Sequence, residues 1–209
     1  MYRHFLIKYS KPDHSQSFIN LGEMYLQPLS FFRKEDHNDE VGDLNEGAHI
    51  VKAFSNATFH RVLDSGEKEL VGHMTGVRRE FSHEYASLSV YCMYHLIIPA
   101  KDYINELDVI DDKLLREFGG SATVIYNLEK FYDRLDTYLE EKSYCYERRL
   151  VEYIDVIKHP EQLTPFQKDK KYEHQNELRL AIKNETEKAP LLLAIGNLND
   201  IAFSVSLVE

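Results

Sequence analysis

The sequence predicts a single α+β domain over residues 1–209, with a mainly antiparallel sheet and a few packed helices. Three observations carry that expectation. Strand-like alternation recurs along the whole chain while helical periodicity is confined to two segments, an order that favours α+β over a doubly wound parallel fold. Hydrophobic residues make up 43% and charged residues 29%, enough apolar material for one core and too much for a disordered chain. The 9 glycines and 6 prolines are scattered, and no repeat, low-complexity tract or linker divides the 209 residues.

The elements follow in order. Tyr2 to Tyr9 is a short apolar run that reads as a strand. Met24 to Leu26 alternates until Pro28 stops it. Arg33 to Gly47 (RKEDHNDEVGDLNEG) is rich in Asp, Asn and Gly, a loop long enough to suggest a functional or mobile role. His49 to Leu63 alternates as one or two strands, with Asn56 available as a turn between them. Asp64-Ser-Gly-Glu reads as a hairpin connection and Glu69 to Met74 as its returning strand. Ser87 to Ile98, β-branched and aromatic with almost no charge, is the expected buried central strand, closed by Pro99.

Asp111 to Phe118 is a short helix that Gly119-Gly120 ends, and Ala122 to Tyr126 a strand. Asn127 is placed to cap a helix from Leu128 to about Lys142. In it Leu128, Phe131, Tyr132, Leu135, Tyr138 and Leu139 fall on one stripe. Tyr144 to Ile157, Glu177 to Lys183 and Ile201 to Val208 are the last expected strands.

Lys and Arg number 25 against 35 Asp and Glu, a net charge of −10 that argues against a general nucleic-acid binder. The longest uncharged stretch, Ser87 to Ala100, is too short to span a bilayer, which needs about 20 residues. The opening MYRHFLIKYSKPDHS lacks an apolar core followed by a cleavage site, and Cys92 and Cys145 do not suggest a disulfide scaffold. These features lead to the expectation of a cytoplasmic protein without a membrane anchor.

The segment from Phe166 to Ile182 carries the candidate chemistry. Gln175, Glu177 and Arg179 follow one another at every second residue, so in a strand they project from one face while Leu178, Leu180 and Ile182 project from the other. Lys168, Lys170 and Lys171 lead into them. An amide, a carboxylate and a guanidinium in line can build a polar cleft. The plain alternative is a solvated strand face with an internal Glu–Arg pair worth about 0–1 kcal/mol.

Other clusters rank lower. Glu35, Asp36, Asp39, Glu40, Asp43 and Glu46 are dense enough to suggest Mg²⁺ or Ca²⁺, but they miss the EF-hand offsets and read as a solvated acidic loop. Cys92, His95, His73 and His83 lack a paired CxxC, and Cys92 reads as a small hydrophobe in a buried strand, so no metal is expected. No G-x-S-x-G, Walker A or G-x-G-x-x-G pattern occurs. The 14 tyrosines read as core and rim residues.

The stretch Phe166, Lys168, Tyr172, Gln175, Glu177, Arg179 resembles the C-terminal signature of a poorly characterised group of bacterial and phage proteins. Its other shared stretches correspond to Gly22–Phe32, Gly42-Asp-Leu-Asn-Glu-Gly47, Val90-Tyr-Cys-Met and Glu117-Phe-Gly. The resemblance implies one integral domain in a prokaryotic, phage or antiviral-defence setting, without a mechanism. Gln175-Asn176-Glu177 is also similar to the Gln-x-Glu motif of ADP-ribosyltransferases. That likeness implies NAD as cofactor, with Glu177 holding the ribose hydroxyls against oxocarbenium charge and Gln175 orienting the target. It further implies Arg3 or His4 on the first strand and an arginine, here Arg179, as an anion clamp. The middle strand, Leu88-Ser89-Val90-Tyr91-Cys92, lacks that family's Ser-Thr-Ser pattern, with Ser89 or Ser87 as the substitute.

The functional expectation is therefore a nucleotide-handling protein, in its sharpest form an NAD-dependent ADP-ribosyltransferase-like enzyme. Glu177 and Gln175 would be catalytic, and Arg3, His4, Arg179 and Ser89 would bind the cofactor. The alternative is a non-enzymatic acidic binding or inhibitor protein of phage–host conflict, directing its charge of −10 at a basic protein partner.

Overall fold

A computed structural model describes residues 2–33, 42–100, 109–159, 162–184 and 189–207. The N-terminal apolar run forms β1 (Tyr2–Ser10), which turns Leu6 to one side of a sheet and Ile7 and Tyr9 to the other. Lys11-Pro12 then starts helix α1 (Pro12–Leu21), where proline in the first turn leaves no N–H unpaired. Gly22 closes the helix at φ 64°, donating its N–H to the Phe18 carbonyl, and the Gly196 backbone occupies the place a Cβ would take. This helix is absent from the expected elements, although its proline start and glycine stop are both plain in the sequence.

Strand β2 (Glu23–Pro28) ends at the expected proline and passes into a 3₁₀ turn over Leu29–Arg33. Strands β3 (Ala48–Val62) and β4 (Lys68–Phe81) form a separate two-stranded ribbon. The returning strand is longer than the expected Glu69–Met74. Asn56, at φ 58°, proves to be a bulge within one strand, because the register shifts between Phe54 and Ala57. Helix α2 (His83–Ala86) leads into β5 (Leu88–Pro99), the expected central strand.

Helix α3 (Asp112–Glu117) is capped by Asp111, which accepts the Leu114 N–H at 2.9 Å, and β6 (Ser121–Ile125) follows. Asn127 caps α4 (Leu128–Glu141) as expected, accepting the Lys130 N–H at 3.1 Å. The single strand expected over residues 144–157 is instead two, β7 (Tyr146–Leu150) and β8 (Glu152–Ile154). They break at buried Val151, whose N–H turns to the Glu177 carbonyl at 2.9 Å. Strand β8 thereby leaves the main sheet and pairs in parallel with β9 (Gln167–Asp169). After a 3₁₀ turn over Lys170–Gln175 come β10 (Glu177–Lys183), β11 (Leu191–Ala194) and β12 (Ala202–Ser206). Strand β11 was not foreseen.

The result is the expected α+β architecture around an eight-stranded antiparallel sheet centred on β5. Strand β10 lines one edge of β5 from Leu88 to Tyr94, with β7 beyond it. The opposite edge is shared. Strand β1 pairs there from Tyr94 to Pro99, and β2 only at Ser89 and Val90. Strands β6 and β12 extend the sheet past β1, and β11 extends it past β2. Helix α1 joins β1 to β2, so the two strands part and leave a split beside Tyr91, Cys92 and Met93.

One face of the sheet is covered by α4, whose Phe131, Leu135 and Leu139 are fully buried against Leu6, Leu26, Leu178, Leu180 and Ile182. The other face holds a smaller core of Ile7, Tyr9 and Val124 under Leu114 and Leu115 of α3. Removing the Leu135 side chain should therefore leave a void at the centre of the larger core. Leu135→Ala is expected to lose about 2–5 kcal/mol in urea unfolding, and Leu135→Asp to lose the cooperative transition. An unchanged midpoint in both variants would refute the packing of α4.

Candidate functional site

Strand alternation directs Glu177 and Arg179 to the face of β10 opposite α4, while Leu178, Leu180 and Ile182 point into the core beneath that helix. Gln175 lies before the strand, at the end of the 3₁₀ turn, where Asn176 at φ 35° reverses the chain. It was expected within the strand. The turn nevertheless brings its amide to the same place, where it accepts Lys168 Nζ at 2.7 Å.

Arg179 is the hub, with only 1% of its surface exposed. Its Nε donates to Glu177 Oε1 at 2.6 Å, and its two terminal nitrogens grip Glu46 at 2.6 and 3.1 Å. It also donates to the Pro165 carbonyl. Lys168, also buried, stands 3.6 Å from the second Glu177 oxygen. Two cations and two carboxylates thus neutralise one another away from water.

Their protonation follows from this. Burial alone would raise the Glu177 carboxyl, but Arg179 and Lys168 outweigh it and hold it down at about 2. Burial opposes the charge of Lys168 and Arg179, and the facing carboxylates overcome it and raise both. The Cys92 thiol, donating to Glu177, is pushed up to about 12 by burial first and by that carboxylate second. It is a neutral donor rather than a nucleophile.

Above this quartet lies a half-open pocket with a cavity volume of about 210 Å³. Lys168, Gln175, Glu177, Arg179 and Glu46 make its polar wall. Tyr9, Tyr94 and Phe118 form one aromatic cluster along it, with ring centroids 6.3 Å (Tyr9–Tyr94) and 6.4 Å (Tyr9–Phe118) apart. Tyr25, Phe32 and Tyr91 add further rings, and Lys8 enters through the split between β1 and β2.

Of the residues expected from sequence, Gln175, Glu177 and Arg179 are brought together here, and Arg3, His4 and Ser89 are not. The period of two explains the separation. His4 and Ser89 stand on the α4 side of the sheet, because their neighbours on β5 alternate with Cys92 and Tyr94. Ser89 is buried and accepts from the Asn184 amide at 3.1 Å, and His4 stacks on His95 with centroids 5.3 Å apart. Arg3 pairs with Ile98 near the exposed end of β1, away from the pocket. Ser87 bonds the Glu84 carbonyl at 2.7 Å in the turn of α2. The three-strand constellation expected of an ADP-ribosyltransferase is therefore not assembled around Glu177.

Sequence reasoning placed Glu46 in a solvated acidic loop, but it is 4% exposed and clasps Arg179. Asp43 is buried too and caps the turn through the Asn45 N–H at 2.9 Å. Glu35, Asp36, Asp39 and Glu40 lie outside the described residues. Among the described residues no group of three metal-ligating side chains gathers. Lys8 was overlooked inside an apolar run.

One signal could have found the rest, for the short stretches singled out above converge. Tyr25, Gln27 and Phe32, then Glu46, then Val90 to Met93, then Phe118, then Lys168, Gln175, Glu177 and Arg179 line the same pocket. Tyr172 ties two of these stretches together, its hydroxyl donating to the Gly42 carbonyl at 2.7 Å. No family model, curated protein or solved structure matches the chain.

The quartet makes Glu177 a keystone. Glu177→Gln leaves Lys168 buried beside a neutral amide and Arg179 short of one charge, so a loss of about 3–5 kcal/mol is expected in urea unfolding at neutral pH. Because the folded-state carboxyl titrates near 2 rather than at its ordinary 4.5, this stability is complete above 4.5 and drains away as the pH falls from 4.5 to about 2. The gap between parent and variant should close over that range. A variant as stable as its parent at neutral pH would remove the quartet from its structural role.

Proposed function

We propose that the pocket binds a small nucleotide-class ligand, its ring against the aromatic wall and its hydroxyls toward the Glu177–Gln175 side. The observation that carries this reading is the pairing of an aromatic-lined, half-open pocket with a buried polar wall that is already charge-neutral. Aromatic side chains provide large, flat contact area that suits a purine or pyrimidine face. Glu177, ionised and held by Arg179, is a rigid acceptor for the sugar's hydroxyl donors.

Binding is better supported than ADP-ribosyl transfer. Both Glu177 oxygens are engaged by protein cations, and Arg3, His4 and Ser89 stand elsewhere. NAD remains one member of the ligand class, and nicotinamide release from it is the readout that separates turnover from binding.

Calorimetric titration with AMP, adenosine and NAD tests the reading. At least one should bind, and Tyr94→Ala should weaken it about tenfold or more, since stacking of a base contributes ~1–3 kcal/mol. Tyr94 is only partly buried, so the variant should keep its fold. If none of the three binds, the nucleotide reading falls and capture by a basic protein becomes the reading to pursue.

A further inference from the structure

Lys8 is the one cation of the pocket that the quartet does not neutralise. It belongs to β1, where apolar neighbours Leu6, Ile7 and Tyr9 enter the two cores. Where β1 leaves β5, its side chain reaches into the split of the sheet, and Nζ donates to the Cys92 carbonyl at 2.9 Å. The Tyr91 ring lies beneath it, 4.3 Å from Nζ to centroid. Among the described residues these are its contacts, and no carboxylate oxygen comes within ion-pair distance. An ammonium carries three donors, so one carbonyl does not exhaust it at the pocket that Lys8 lines.

We infer that the Lys8 amine is the seat for a phosphoryl group on the ligand. The inference deepens the proposed nucleotide binding and rests on it for the ligand's identity. Three features of the place favour a phosphoryl oxygen. The cleft is lined by protein on several sides, which strengthens a charge contact relative to water. The remaining donors of Lys8 are compact and can reach one anion without rearranging the quartet. The count of charges is uneven, with Lys8, Lys168 and Arg179 against Glu46 and Glu177, so an anion completes it.

An anion there would favour the charged form of the amine. Burial lowers the Lys8 amine from its ordinary value, and the Glu177 carboxylate only partly offsets this. The other groups around it do not compete. From β5, burial raises the Tyr91, Cys92 and Tyr94 groups, which therefore stay neutral near pH 7. On β1 itself Tyr9 is raised likewise, to about 12. From β10 and β9, Glu177 is held down while Arg179 and Lys168 are held up, and Glu46 is clamped by Arg179. Tyr25 of β2 closes the rim. A phosphoryl group beside Lys8 raises its affinity for a proton, so ligand affinity falls as the pH rises above the free amine's titration.

The test is calorimetry of the intact protein with AMP, adenosine and inorganic pyrophosphate near neutral pH. AMP should bind at least about tenfold more tightly than adenosine. Lys8→Met should abolish the AMP advantage while adenosine still binds. Lys8→Arg should keep the advantage, because a guanidinium is always charged. Equal binding of AMP and adenosine, or an advantage that survives in Lys8→Met, overturns the inference. If AMP and adenosine both fail but pyrophosphate binds and Lys8→Met removes that binding, the nucleotide reading falls and the phosphoryl seat stands. If pyrophosphate fails too, the seat is overturned.

Discussion

The structure around the pocket depends on how a guanidinium is kept out of water. Arg179 cannot shed its proton, and removing its charge from solvent costs several kcal/mol unless anions replace the lost hydration. Glu177, two residues before it on the same strand, supplies one carboxylate, but a guanidinium fork needs two sides filled. The second comes from Glu46, 133 residues earlier in the chain. That single requirement fixes the loop at residues 42–47 against the sheet. The Pro165 carbonyl and the Tyr172 hydroxyl then pin the approach to β10 over the same loop. Segments that share no secondary structure are joined because one buried cation must be answered.

A second constraint comes from chain connectivity. Strands β1 and β2 both run antiparallel to β5, yet helix α1 lies between them in sequence, and its Phe18 is drawn into the core beside Tyr91 and Phe131. The strands therefore cannot form one continuous ladder along β5. The backbone of Cys92 faces the resulting split, and a buried carbonyl there needs a donor. Lys8 provides it from the neighbouring strand. The same split admits the aromatic side chains of both strands, which is why the pocket sits at the divergence and not on the continuous part of the sheet.

Much of this fold was legible in the residues. The stripe from Leu128 to Leu139, the Asn127 cap, the charge-free run of β5 and the alternation of β10 are local patterns, and each gave the element it promised. The failures are tertiary. Val151 interrupts a good strand pattern because its N–H is claimed by the Glu177 carbonyl, a partner no local pattern reveals. Glu46 resembles any acidic loop residue until Arg179 is placed beside it. At the site, spacing by two grouped Glu177 with Arg179 correctly, and Gln175 joined them for a different reason, a 3₁₀ turn. Arg3, His4 and Ser89 were assembled by analogy, without the register of β5 that assigns His4 and Ser89 to the other face. A single sequence holds periodicity well and register poorly, since register is decided by pairing across the sheet.

The net charge of −10 and a seat for a phosphoryl group are compatible, because they act at different ranges. In physiological salt, charges more than about 8 Å apart are largely screened, so the acidic surface matters chiefly to whatever lies along it. A long polyanion must lay most of its phosphates on that surface, where each meets carboxylates, and the whole is repelled. A mononucleotide presents its phosphate at one point. Within the pocket that point is governed by the nearest groups, three cations against two carboxylates, with four of the five already matched. The composition that argues against nucleic acid as a ligand thus leaves a single nucleotide admissible, and the neutral quartet concentrates the remaining positive charge on one amine in the split of the sheet.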